Sequence, residues 1–278
     1  MTNLLAVSDL RLRYPGRGFR TRSPEVLKGV SLGIAPGETL GLVGESGSGK
    51  TTIGRAILGL ATPTGGTITF GGSDITHLAT RARRRYARDI QVVFQDPYTS
   101  LNPALQIADI LSEPLIAQGV DAKEASRKVL QLLDRVGLPA NAAQRYPREF
   151  SGGQRQRVAI ARALALSPKL IVCDEPVSAL DLTTQARVLD LFIELQRETG
   201  VAYLFITHDI SVVRHISHRV AVMYRGEIVE TGPTGSVTDE PQHEYTKSLL
   251  LAAPVADPDR QKARRETRRA LRLASLET

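Results

Sequence analysis

Cysteine is nearly absent: Cys173 stands alone in 278 residues. It can form neither an internal disulfide nor a multi-cysteine metal site, which fits a reducing cytoplasm. Long apolar runs are missing too. No window approaches the ~18 consecutive apolar residues that cross a membrane as a helix. The first residues, Met1 to Asp9, have neither the basic nor the apolar stretch of a secretion signal, so none is expected. Sustained heptads are absent as well, which argues against a long coiled coil. The chain is nevertheless long enough for a real core in one or two domains.

Charge is present in excess of one sign. The net charge is +7, and much of it lies near the C-terminus, where Arg260, Lys262, Arg264, Arg265, Arg268, Arg269 and Arg272 face Glu266 alone. Such a balance suits nucleic acid, an anionic lipid surface or plain solubility. The run itself reads as a solvated tail helix.

The stretch Gly44-Glu-Ser-Gly-Ser-Gly-Lys-Thr51 fits G-x-x-x-x-G-K-[ST], the phosphate-binding P-loop. Glycines let the backbone turn sharply and aim successive N–H groups into one nest for phosphate oxygens. The loop runs into a helix whose N-terminal amides and dipole also favour anions. Lys50 is placed to reach the outer phosphates and the Thr51 hydroxyl to hold Mg²⁺. At ordinary glycine frequency this pattern arises by chance in about one chain of this length in a hundred. Its context fits as well. Thr39–Val43 reads as a buried strand before it, and Ile53, Ala56, Ile57 and Leu60 follow at i, i+3, i+4, i+7 as an apolar helix face.

The first part mixes small antiparallel strands with this βα unit. Residues 4–13 alternate like a half-buried strand that ends at Tyr14, before the turn-rich Pro15-Gly-Arg-Gly18. On composition alone Tyr14 reads as structural. Val26–Ile34 is a second strand, and Thr67–Phe70 with Gly71-Gly72 forms a hairpin-like run. Residues 78–89 are Arg-rich and expected helical. Ile90–Gln95 reads as a strand ending in a polar residue, and Asp96–Pro103 as a loop by its two prolines. From about 104 to 138 the pattern is helical, with Leu111, Leu115, Val129, Leu132, Leu133 and Val136 as core. Residues 141–150 form a connector.

Ser151-Gly-Gly-Gln154 then opens an Ala- and Leu-rich helix running to Leu166. Ser151 can cap it, and Gly152 and Gly153 expose amides at its start; local physics leaves open a simple cap or a second anion site. Leu170–Cys173 is a continuous apolar run, a strand buried on both faces, and it ends in Asp174-Glu175. Carboxylates at that end of a parallel strand sit where α/β sheets bind ligands. With a P-loop upstream, Asp174 is the natural Mg²⁺ carboxylate and Glu175 a candidate base for water. Ala202–Ile206 is another buried strand, and it delivers His208 to the same edge, within reach of a γ-phosphate. Val220–Met223 and Glu227–Glu230 look like a closing hairpin.

Together these residues resemble the ATP-binding cassette (ABC) family over about residues 4–250, in family order. The resemblance implies an α/β fold: a P-loop NTPase cassette with a RecA-like parallel-sheet core, an N-terminal antiparallel β-subdomain and an α-helical subdomain at about 97–166. The cassette would span 1–250, with a basic tail over 251–278. It makes Tyr14 the adenine-stacking aromatic. Gly44, Glu45, Ser46, Gly47, Ser48, Gly49, Lys50, Thr51 and Thr52 become the ATP cradle, and Gln95 the Q-loop sensor of Mg²⁺ and water. Ser151, Gly152, Gly153 and Gln154 match the signature, preceded by Phe150 rather than the usual Leu. Ser178-Ala-Leu-Asp181 looks like the D-loop, and His208 like the switch histidine. Lys50, Gln95, Glu175 and His208 would carry catalysis, and Thr51, Gln95 and Asp174 would hold Mg²⁺. In this family two cassettes dimerise head to tail, so Ser151 to Gln154 and Asp181 would serve the partner's ATP.

A narrower resemblance lies in Phe94–Pro103, Arg145–Phe150, Cys173–Asp181 and Pro241-Gln-His-Glu-Tyr-Thr-Lys-Ser-Leu-Leu250. These look like the dipeptide/oligopeptide importer ATPases, most of all the F-type subunit. Nickel and glutathione importers use close relatives. The resemblance implies a peripheral subunit on the cytoplasmic face of the inner membrane. Its partners would be a second cassette (a D-type paralogue or itself), two transmembrane permeases and an extracytoplasmic solute-binding protein, with no nucleic acid. The C-terminal cysteine cluster of some peptide-importer ATPases is not expected, since Cys173 stands alone. A soluble nucleic-acid ATPase suits the basic tail. It fits the rest less well, because those ABC proteins carry two cassettes per chain or a long coiled-coil insert. A regulatory, non-catalytic cassette is disfavoured by the intact Lys50, Asp174, Glu175 and His208.

Overall fold

A computed structural model describes residues 3–14 and 24–252, the side chains of Pro97 and Thr99 excepted. The turn residues 15–18 and the basic run Arg260–Arg272 lie outside the described residues, as does the expected tail beyond Ala252.

Strands β1 (Leu5–Arg13) and β2 (Glu25–Ile34) pair antiparallel. The chain then enters β3 (Thr39–Val43), buried throughout, and passes through the P-loop into α1 (Lys50–Leu58). Helix α1 stops earlier than its apolar spacing implies. Gly59 adopts a left-handed backbone (φ 72°) that caps it, and Leu60 is left 64% exposed rather than on the buried face. Strands β4 (Gly65–Phe70) and β5 (Ser73–Asp74) complete the first sheet, in the order β2-β1-β4-β5.

The Arg-rich stretch holds a single turn, α2 (Thr80–Arg83), and a 3-10 turn over Arg84–Tyr86, instead of a helix across 78–89. Arg83 is engaged elsewhere. Its guanidinium donates to the carbonyls of Ala56, Ile57 and Leu58, the negative end of α1, and to Ile75 O. Strand β6 (Ile90–Val93) ends two residues before Gln95. The expected loop after it contains a short helix, α3 (Pro97–Ser100). Asp96 caps this helix by accepting the Tyr98 N–H at 2.8 Å, and Pro97 occupies the position where a missing N–H costs nothing.

The helical stretch from about 104 to 138 is two helices, α4 (Ile107–Ala117) and α5 (Ala122–Arg135). Gly119, at φ 85°, breaks it, and the Asp121 carboxylate restarts it by accepting two N–H groups. The six expected core residues there are all buried. Two 3-10 turns lead to α6 (Gly152–Leu164). Then follow β7 (Leu170–Asp174), α7 (Leu182–Thr199), β8 (Ala202–Thr207), α8 (Ile210–Ile216), β9 (Arg219–Tyr224), β10 (Glu227–Pro233), α9 (Thr234–Asp239) and α10 (Glu244–Ala252).

The larger sheet runs β10-β9-β3-β8-β7-β6 and is parallel except at the β10–β9 edge. Strand alternation decides what each side chain packs against. Leu170, Val172, Leu204 and Ile206 face the core shared with α1 and the smaller sheet. Ile171, Cys173, Tyr203 and Phe205 face the core shared with α4 to α7. There Phe192 meets Tyr203 and Phe205 edge-on, with centroids 5.4 and 5.5 Å away. Loss of that ring would cost ~3–5 kcal/mol. Fold class and layering match the sequence expectation.

Candidate nucleotide site

Strand β3 lies mid-sheet between β9 and β8, so its loop emerges at the centre of the carboxyl edge. Gly47 (φ 83°) and Gly49 (φ 109°) hold left-handed backbone that side chains resist. Gly49 is also walled in: a Cβ there would lie 2.8 Å from Met223 Cε and 3.1 Å from Val26 O. The loop's turns thus depend on glycine at these two positions.

Lys50 is 4% exposed, and its Nζ donates to the carbonyls of Gly44 (2.7 Å) and Glu45 (2.8 Å). Burial lowers its pKa, against the opposing pull of Glu175, Asp174 and Glu45. Thr51 Oγ1 donates to Asp174 Oδ1 at 2.9 Å, joining the start of α1 to the end of β7. Burial raises the Asp174 pKa, and the Thr51 bond partly offsets it.

Glu175 has a left-handed backbone (φ 48°), with its N–H donated to Ile206 O at 2.9 Å. Its Oε2 lies 3.2 Å from His208 Nδ1 and accepts from Gln95 Nε2, also at 3.2 Å. Three of the sequence-chosen residues therefore meet at one carboxylate. Beside them opens a cavity of about 400 Å³ lined by Val26, Ser46, Gly47, Gly49, Lys50, Thr51, Thr52, Gln95 and Glu175. A larger hollow of about 550 Å³, between α5 and the end of α6, is lined by none of these groups. The Tyr14 ring is 39% exposed, and its hydroxyl sits 3.4 Å from Thr52 Oγ1, close to the same cavity.

The other candidates are elsewhere. Ser151 Oγ accepts the Gln154 N–H at 3.3 Å, and Gln154 Oε1 accepts the Ser151 N–H at 3.0 Å, a closed capping box on α6. Asp181 caps α7 by accepting the Thr184 N–H at 3.0 Å; that bond lowers its pKa. Neither these residues nor Gly152 and Gly153 line the cavity. Phe150 is buried, with the Arg145 guanidinium 4.4 Å from its centroid. One contact was not legible in the sequence: Tyr245 Oη accepts the Glu45 N–H at 2.9 Å from two hundred residues away.

A glycine-rich P-loop at the mouth of a central parallel strand, with a carboxylate pair at the end of a nearby strand, is the arrangement of a P-loop nucleotide-binding cassette. Comparison with known proteins agrees. The ABC transporter family model matches residues 27–178. The glutathione import ATP-binding protein GsiA of Escherichia coli (strain K12) is 52% identical over 267 residues, 94% of this chain and 43% of that protein. That of Pectobacterium atrosepticum is 53% identical over 262 residues, 92% of this chain and 42% of that protein. The chain thus spans less than half the length of these curated relatives. Among solved structures, cbiO1 from Clostridium perfringens, part of the ABC transporter complex cbiONQ, superposes with a TM-score of 0.77. Its identity is 29%, with 86% of this chain and 91% of that one covered. A dimeric ATP-binding cassette in a post-hydrolysis state, bound to ADP and phosphate, superposes at 0.74 with 32% identity, covering 83% of this chain and 98% of that one. This chain belongs to the ABC transporter family and carries its nucleotide-binding domain.

Proposed function

We propose that the chain hydrolyses ATP to energise an ABC importer for di- or oligopeptides, with nickel, glutathione or another small solute as the alternative cargo. The observation that carries the reading is the meeting of Gln95 and His208 at the Glu175 carboxylate, beside a P-loop cavity. The relatives' printed name, glutathione import, supports the alternative cargo, and glutathione is itself a small peptide.

In this reading Gly44 to Thr52 cradle the phosphates, and Tyr14 covers the adenine. Lys50 exchanges its two carbonyl partners for phosphate oxygens, which repays its buried charge. Glu175 takes the proton of the attacking water, Gln95 orients that water, and His208 steadies the γ-phosphate. Among the described residues no three His, Cys, Asp or Glu side chains group as a metal cage. The bonded Thr51–Asp174 oxygen pair nevertheless suits a hard cation that is completed by substrate phosphates. Thr51, Asp174 and Gln95 would hold Mg²⁺, which neutralises phosphate charge when bound.

By the resemblance to ABC cassettes, the capped start of α6 and Asp181 would serve ATP on a second cassette; neither lines this chain's own cavity. The cassette would cover 1–250, with α3 to α6 as the helical subdomain and 251–278 as a tail. No described helix is long and apolar enough to cross a membrane. The likeness to import ATP-binding proteins supports action on separate permeases, at the cytoplasmic face of the inner membrane, with a solute-binding protein outside. A pull-down of tagged chain from detergent-solubilised membranes tests this. Two multi-span permeases and a second cassette are expected. A soluble complex with nucleic acid, lost at high salt, would overturn transport.

A further inference from the structure

The segment Pro241–Leu250 marks the sequence but has no part in the chemistry above. Glu230 of β10 anchors it: its carboxylate accepts the N–H groups of Gln242 (2.8 Å) and His243 (3.1 Å) just before α10. Leu249 and Leu250 pack against the cluster containing Val43, Val220 and Val222, so α10 adjoins the strand that feeds the P-loop. Its Tyr245 ring stacks on Tyr224, with centroids 4.2 Å apart and planes at 29°.

The Tyr245 hydroxyl then meets one particular peptide. The Gly44–Glu45 unit gives its N–H to Tyr245 at 2.9 Å and its C=O to Lys50 Nζ at 2.7 Å. Both polar ends of this peptide, at the entrance of the P-loop, are held by side chains. When Lys50 turns to a phosphate the C=O contact goes, and the Tyr245 contact stays.

We infer that Tyr245 is a positioning residue for nucleotide binding, through which α10 holds the first turn of the phosphate cradle in its binding shape. The inference rests on the nucleotide-binding reading of the site. A loop ordered before binding loses less freedom on binding, so the bond acts on affinity rather than on the chemical step. Both ATP and ADP meet the same turn and gain alike.

Calorimetric titration of ATP and ADP into the full chain tests this, together with steady-state hydrolysis. Tyr245→Phe keeps the ring stack and removes the acceptor. Its expected effect is a Kd and KM about 2- to 10-fold higher for both nucleotides, the range of one hydrogen bond, with kcat unchanged and a melting temperature about 2–4 °C lower. Tyr224→Phe, the control, should bind as wild type. Wild-type Kd in Tyr245→Phe overturns the inference, as does a fall in kcat at unchanged KM. Should that variant not fold, hydrogen exchange at the Glu45 amide of the wild-type chain decides. Protection supports the bond, and exchange at the open-peptide rate overturns it. A wild-type chain that binds neither nucleotide would instead remove the reading underneath.

Discussion

The Arg155 guanidinium lies over the Tyr98 ring, 3.7 Å from its centroid. Arg155 sits in the helix begun by Ser151, and Tyr98 follows Gln95 by three residues. Arg155 Nε also donates to Pro147 O at 2.7 Å, and Arg162 of the same helix donates to Ser100 O. The segment after Gln95 is thus fastened to α6 at two points. Tyr98→Ala is expected to cost about 0.5–2 kcal/mol in denaturant unfolding, whereas Tyr98→Phe keeps the ring and most of the stability. Equal losses in both variants would show that the hydroxyl, not the ring face, matters.

Glu175→Gln should keep ATP affinity and stall hydrolysis. Glutamine preserves the shape and can still accept from Gln95, but it cannot take a proton from water. Phosphate release at saturating ATP is the measurement, and a wild-type rate would remove Glu175 as the base.

Tyr14→Ala should weaken nucleotide binding by ~1–3 kcal/mol if the ring stacks on the base. Calorimetry with ATP against inorganic triphosphate separates the causes. A loss confined to ATP supports stacking. Equal losses for both point to the Thr52 contact and the shape of α1.

Asp174 supplies a pH prediction. Burial lifts its carboxyl above the ordinary value, so the folded chain holds that proton more tightly than the unfolded chain does. As pH rises from the unfolded carboxylate value through the raised folded one, the unfolded chain releases its proton first and folding loses stability. Asp174→Asn has no such proton and can still accept from Thr51. Melting curves of the nucleotide-free chain, taken at rising pH from the ordinary carboxylate value upward, should show the variant gaining on wild type. Hydrolysis should be lost at every pH. A gap that stays constant with pH would refute the buried-carboxylate account.

Much of this could be read from the residues. Strands β3, β7 and β8 were legible because unbroken apolar runs between turn signals have few other destinations. Their carboxyl ends then place Gly44, Asp174 and His208 along one edge. Other features were hidden for specific reasons. Two prolines made Asp96–Pro103 read as a loop, yet Asp96 followed by Pro97 is equally a helix start. The spacing that put Leu60 on the buried face of α1 ignored Gly59, which ends the helix. Tyr245 reaches Glu45 across a separation that no local pattern encodes. Ser151 matched a motif, but whose nucleotide it meets is not a property of one chain.

The left-handed turn at Glu175 has a mechanical consequence. Its N–H is tied to Ile206, and His208 follows two residues on, so carboxylate and imidazole ride on a single hydrogen-bonded pair of strands. Gln95 comes from the other flank of β7, past the end of β6 and ahead of a segment riveted to α6. A rotation of the helical layer against the sheet would therefore change the Gln95–Glu175 contact before the Glu175–His208 contact.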